Sequence, residues 1–177
     1  MRSWRLVSHG IVAPLFRQDL IQLNLPFRYS AAFIAAGSFQ LLTDPGAALL
    51  ALQRIRAHLV DPGLLLMDMF VPAESALRLG APLVEVRTVK LADGTQIALR
   101  SESTVWADAR TSRTEYRYAH RRGATRLAEE HETLTLTWYS LEEIAAILGD
   151  AGFHDVTIGA SPRSGGDETT FSVFARA

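Results

Sequence analysis

A chain of 177 residues, 48% hydrophobic and 21% charged, has the size and composition of one globular domain, with 1–177 read as a single unit. Its formal net charge of −1 gives no electrostatic reason to expect nucleic acid or an anionic membrane as a partner. The absence of cysteine excludes disulfides, thiolate metal ligands and a cysteine nucleophile. No N-terminal apolar stretch has the length of a signal peptide or membrane span, so a cytoplasmic protein is expected.

The first apolar run, Ile11 to Phe16, reads as a strand with Asp19 at its C-terminal end, and Pro14 inside it requires a sheet edge. The run Ala31 to Ala36, broken at Gly37-Ser38, does not alternate and suits a parallel strand buried on both faces. Asp44-Pro45 supplies a cap and a first-turn proline for a helix that keeps Leu49, Leu52, Ile55 and Leu59 near a 3.6-residue period. That helix should stop at Asp61-Pro62-Gly63, and Leu64 to Met69 follows as a strand interrupted only by Asp68. Strand, helix and strand in this order imply a right-handed parallel crossover.

From about Leu83 the apolar residues alternate: Val84 and Val86, Ile97 and Leu99, Tyr116 and Tyr118, then Leu134, Leu136 and Trp138. This predicts a four-strand antiparallel meander over about 83–139, turning at Ala92-Asp93-Gly94, near Asp108 to Ser112, and at Gly123. Ser140 and Glu143 have the spacing of a capping box ahead of Ile144, Ile147, Leu148 and Ala151. Strands at His154 to Ile158 and Thr169 to Ala175, separated by a loop at Ser161 to Gly166, complete the reading.

Several segments together resemble class I S-adenosylmethionine-dependent methyltransferases, in particular small bacterial sugar-amine N-methyltransferases. They are Gln18-Asp19-Leu20, Gly37-Ser38-Phe39-Gln40-Leu41-Leu42, Ile55-Arg56-Ala57-His58-Leu59 with Pro62-Gly63, Met67-Asp68-Met69-Phe70, and Tyr139-Ser140-Leu141-Glu142-Glu143 leading to Ala151-Gly152-Phe153. The resemblance implies an α/β fold: an incomplete Rossmann-like methyltransferase sheet with the antiparallel meander inserted. In the family's order, the run ending at Asp19 is the third strand, Ala31 to Ala36 the fourth and Leu64 to Met69 the fifth. Only the end of a helix, at Trp4 to Val7, has room upstream. The glycine-rich turn and the ribose-binding acidic strand end are then missing; no G-x-G occurs in the sequence.

The resemblance further implies S-adenosylmethionine as cofactor, held weakly or not at all by this chain. The implied contacts are Asp19 toward the adenine amino group, with Leu20 beside it, and Ala36, Gly37, Ser38 and Phe39 after the fourth strand. Small residues at the C-terminal edge of an open sheet permit close ligand approach. Phe39 reads equally as a core aromatic, and Asp19 equally as a cap.

Asp68 reads as a loop-capping carboxylate or as a base. His120 and His131 are candidate proton acceptors on the meander, and His58 a solvated helix residue. Trp106, Tyr116, Tyr118, Trp138 and Tyr139 are candidates to line an acceptor pocket. No metal-ligand spacing and no G-x-S-x-G elbow occurs.

The partner expected for an active methyltransferase is a small-molecule acceptor. Two other readings are a non-catalytic remnant of the fold and a subunit completed by another chain. A homodimer is expected, because Ala31 to Ala36 would form an apolar strand edge with no charge or proline to protect it.

Overall fold

The computed structural model describes residues 13–72, 77, 81–160 and 169–177. Its elements in chain order are β1 (Tyr29–Ile34), α1 (Pro45–Ala57), β2 (Leu59–Phe70), β3 (Leu83–Lys90), β4 (Gln96–Trp106), β5 (Thr111–Arg122), β6 (Thr125–Thr137), α2 (Leu141–Asp150), β7 (His154–Ala160) and β8 (Thr170–Arg176), with short 3-10 turns at Leu20–Gln22 and Ser38–Leu41. Two sheets result: a mixed one in the order β1-β2-β8-β7, and the meander β3-β4-β5-β6. β1 and β2 are parallel neighbours, and β8 runs antiparallel to both β2 and β7.

The first expected strand does not form over its described part. Residues 13–19 are exposed and irregular, consistent with Pro14 having no N–H for a ladder. Ile11, Val12 and the expected helix end at Trp4 to Val7 lie outside the described residues, as does the expected loop at 161–166.

β1 also begins earlier than the apolar run and stops before its end. Tyr29 N–H donates to His58 O at 2.8 Å, while Ala36 and Gly37 turn left-handed at φ 53° and 66° and cannot extend the strand.

Asp44 caps α1, its Oδ1 accepting from Ala47 N at 2.7 Å, with Pro45 in the first turn. Ala48, Ala51, Leu52 and Ile55 form its buried face, so alanines fill half of a stripe that the sequence assigns to leucines. The helix stops at Ala57, and Asp61-Pro62-Gly63 lies inside β2 instead of ending the helix. A bulge absorbs the extra residues: Tyr29 pairs with Leu59, but Ala31 pairs with Leu64. Gly63 is required there, since a Cβ would come within 2.6 Å of Val60 O and 2.8 Å of Leu59 Cβ.

Neither β1 nor β2 is buried on both faces. In β2, Leu65, Met67 and Met69 are buried while Leu64 remains 37% exposed, and in β1 Phe33 is 53% exposed. The buried set packs with Leu52 and Ile55 of α1 and with Ile144 and Leu148 of α2 in one core, so among the described residues the helices cover one face only. α2 starts at the expected capping box: Ser140 Oγ accepts from Glu143 N, and Glu143 Oε2 accepts from Ser140 N at 2.7 Å.

The meander forms with the expected strands and turns. Strand alternation assigns its faces: Leu83, Ser103, Thr114 and Leu134 form one row, and Val84, Glu102, Glu115 and Thr133 form the next row on the opposite face.

Candidate functional site

The two sheets are bolted together by one buried amide. Gln40, 1% exposed, donates from Nε2 to Phe70 O at 2.8 Å and to Thr137 O at 3.0 Å, and accepts at Oε1 from Phe70 N at 2.7 Å. It therefore ties the C-terminal end of β2 to the end of β6. Beside it, Phe39 is fully buried and its ring lies 6.0 Å from that of Tyr139, which makes Phe39 a core anchor with no surface to offer a ligand. Burial, and secondarily Glu143, raises the pKa of the Tyr139 hydroxyl.

The turn after β1 lies against the end of β2. Gly37 N–H donates to Asp68 O at 3.1 Å, and a Cβ at Gly37 would overlap the Phe70 ring. Both the left-handed φ and this contact require glycine. Ala36 adopts the left-handed conformation with a side chain, a strain characteristic of functional loops. Ala36 and Ser38 are exposed at the C-terminal end of a parallel strand, where open α/β sheets bind ligands. Ser38 Oγ donates to Ala35 O at 2.8 Å.

Asp19 caps the first 3-10 turn, accepting from Ile21 N at 3.1 Å. This engages Oδ1; its second oxygen makes no bond to a described residue. Leu20 lines an apolar cavity of about 160 Å³ together with Leu23, Tyr29, Ala32, Ile34 and Ile55, a cavity that thus borders β1 two residues before Ala36. His58 braces this strap and is not merely solvated. Its Nε2 accepts from Leu25 N at 2.9 Å, which requires Nδ1 to carry the proton donated to Arg54 O at 2.7 Å.

A second, larger cleft of about 240 Å³ lies between the end of β2 and the meander. Phe70, Val71, Leu83, Val105, Leu136 and Trp138 form most of its apolar lining, with the hydroxyl residues Ser103, Ser112, Thr114 and Thr169. The Gly37 turn and the cleft thus meet at Phe70. Trp138 is the aromatic candidate that lines the cleft. Arg110 lies 4.7 Å over its ring and pairs with Glu143 at 3.0 Å; its Nε1 is buried without a hydrogen-bond partner among the described residues. Trp106 alternates to the opposite face from Val105, Tyr139 is buried in the core, and Tyr116 stacks on Tyr118 at 6.2 Å farther along β5.

The acid–base candidates lie outside the cleft lining. Asp68 is neither a loop cap nor a cleft residue: Ser172 Oγ donates to its Oδ1 at 3.1 Å across the β2–β8 ladder. His120 is six residues beyond Thr114 on β5, about 20 Å along the strand, and its Nε2 meets Thr95 Oγ1 at 2.8 Å. Thr95 in turn donates to Asp93 at 2.7 Å. That bond, followed by the Thr95 N–H, holds the Asp93 carboxyl below its ordinary pKa. His131, paired with Arg117, falls on the face opposite Thr114 and contacts Glu129 at 3.3 Å.

Gln40 and the hydroxyl residues of the cleft carry no motif in the sequence. The only signal for the hydroxyls was their alternation with residues of the other face, because a glutamine or serine gains its role from what folding sets opposite it.

No protein-family model and no curated protein matches the sequence. Solved structures do match the fold. An S-adenosylmethionine-dependent methyltransferase from Clostridium acetobutylicum superimposes with a TM-score of 0.78 at 14% identity, covering 97% of this chain and 68% of that one. CalS10, an amino pentose methyltransferase from Micromonospora echinaspora, gives 0.72 at 22% identity over 90% of this chain and 63% of its own. The sugar N-methyltransferase KedS8 from Streptoalloteichus gives 0.73 at 20% identity over 98% and 67%. The chain spans about two thirds of the length of these structures. No helix among the described residues is long and apolar enough to cross a membrane. The fold of this chain is that of the class I S-adenosylmethionine-dependent methyltransferases, with a separate four-strand antiparallel sheet after β2.

Proposed function

We propose that the chain serves S-adenosylmethionine-dependent methylation of a small-molecule acceptor. The cofactor's adenine end is assigned to Asp19 and Leu20, its approach to the strand end to Ala36, Gly37 and Ser38, and the acceptor to the cleft under the meander. The observation that carries this reading is the meeting of the Gly37 turn and the cleft at Phe70, at the C-terminal end of parallel strands in a methyltransferase fold.

The residues fit the adenine end. Asp19 keeps a carboxylate oxygen for the adenine amino group, and Leu20 borders an apolar cavity.

When bound, the cofactor supplies an electrophilic methyl group on a sulfonium. The protein's part is to position the acceptor and exclude water. No histidine, aspartate or glutamate lines the cleft among the described residues, so the reading assigns its residues to orientation, with the acceptor entering unprotonated.

Calorimetry with S-adenosylhomocysteine tests the assignment. A hydrogen bond to a charged group contributes about 1.5–3 kcal/mol, so Asp19→Ala should weaken binding about tenfold or more. Unchanged affinity in the variant would remove Asp19 from the site, and no binding at millimolar ligand would overturn the cofactor assignment.

A further inference from the structure

Arg110 closes the turn between β4 and β5 in a conformation that suits glycine. Its φ is 47°, in the left-handed region where a side chain is strained, and its N–H donates to Ala107 O at 3.1 Å to complete the turn. A residue that served the turn alone would do better as glycine. What arginine adds is its side chain. The guanidinium stands 4.7 Å over the Trp138 ring, and Nη2 pairs with Glu143 Oε1 at 3.0 Å. The other oxygen of Glu143 accepts from Ser140 N at 2.7 Å in the cap of α2, whose Ile144 and Leu148 sit in the core. The Arg110 backbone holds the same partner, since Trp138 N donates to Arg110 O at 3.0 Å. Backbone and side chain of one strained residue thus converge on Trp138, and Glu143 anchors both to a helix docked in the core.

We propose that Arg110 is a positioning residue for the acceptor, holding the Trp138 ring as a fixed wall of the cleft between β2 and the meander. This rests on the reading of that cleft as the acceptor site. Trp138 lines the cleft and Arg110 does not, so the guanidinium backs the ring from the side away from the cleft. The indole Nε1 is buried, so the ring offers the cleft its carbon surface and not its donor. A wall of that kind orients a ligand by stacking. With the hydroxyl residues Ser103 and Thr114 in the same lining, the chemistry it fits is a molecule with an apolar ring face and a polar edge.

The test is read on the indole and does not depend on cofactor binding. The chain has three tryptophans, so with Trp4→Phe and Trp106→Phe the emission comes from Trp138 alone. In that background Arg110→Gly should keep or raise the thermal midpoint, because it relieves the positive φ. The ratio of held to released ring should nevertheless fall about two- to fivefold, the loss expected when a cation is removed from an indole face at a part-exposed site. Trp138 then becomes more open to acrylamide quenching and loses near-UV circular dichroism. Arg110→Lys returns a cation without the flat stack and should recover part of that loss. Benzyl alcohol, a ring with one hydroxyl, serves as the cleft probe: it should shield Trp138 from acrylamide in the Arg110 chain and less in the glycine variant. Quenching and near-UV signal unchanged in Arg110→Gly, a lysine variant no better than glycine, or benzyl alcohol shielding that is absent or equal in both chains would each overturn the proposal. Failure of S-adenosylhomocysteine to bind would overturn the cofactor reading and leave these outcomes untouched.

Discussion

Replacing Gln40 with leucine keeps the side-chain volume close to native but removes all three hydrogen bonds that tie β2 to β6. Each such bond contributes about 0.5–1.5 kcal/mol net, and leaving a buried partner unsatisfied costs about 1–3 kcal/mol. Leucine strands Phe70 N–H and frees the carbonyls of Phe70 and Thr137, so a loss of about 3–5 kcal/mol is expected. Against a typical domain stability of about 5–15 kcal/mol, that is a large fraction. Urea unfolding followed by circular dichroism measures it, and hydrogen exchange at the Phe70 amide locates it. Gln40→Glu separates the hydrogen-bond account from simple packing. It keeps the shape but turns a carboxylate oxygen toward two carbonyls, so at neutral pH it should be less stable than the leucine variant and recover partly on acidification. A loss below about 1 kcal/mol for leucine, or a glutamate variant as stable as the native chain at pH 7, would refute the reasoning.

Gly37→Ala combines a positive φ with a Cβ that overlaps the Phe70 ring, so it should cost about 1–3 kcal/mol and displace Phe70 from the cleft wall; an unchanged thermal midpoint would contradict this. Thr95→Val removes the hydroxyl that bridges Asp93 and His120. Because that bond is the largest cause depressing the Asp93 pKa in the folded state, its stabilisation is present above the ordinary carboxylate pKa and lost as pH falls through the folded value, below about pH 4. The variant should therefore lose less stability than the native chain between pH 5 and pH 2, and parallel thermal-midpoint profiles would count against the bond.

Much of the fold is determined locally and could be read from the sequence. Asp44-Pro45 and the Ser140/Glu143 box cap their helices through bonds within three residues, and the meander's alternation and turn glycines are short-range properties. What failed depended on distant partners. Whether Ala13 to Phe16 forms a strand depends on finding a ladder, and its described residues find none. Asp61-Pro62-Gly63 enters β2 because β1 accommodates a bulge opposite it. Asp68 looked like a cap or a base until folding paired it with Ser172, 104 positions away.

The candidate site divides in the same way. Gly37 was legible as a backbone requirement after a strand, whereas Phe39 became a core residue only through Tyr139, and Gln40 a bolt only through carbonyls at Phe70 and Thr137. The sequence by itself determined caps, turns, the order of elements and the likeness to a methyltransferase, because these arise from near-neighbour geometry. Only the tertiary structure decided which polar groups are satisfied and which aromatics are buried, because each depends on groups that folding alone brings within hydrogen-bond or packing distance.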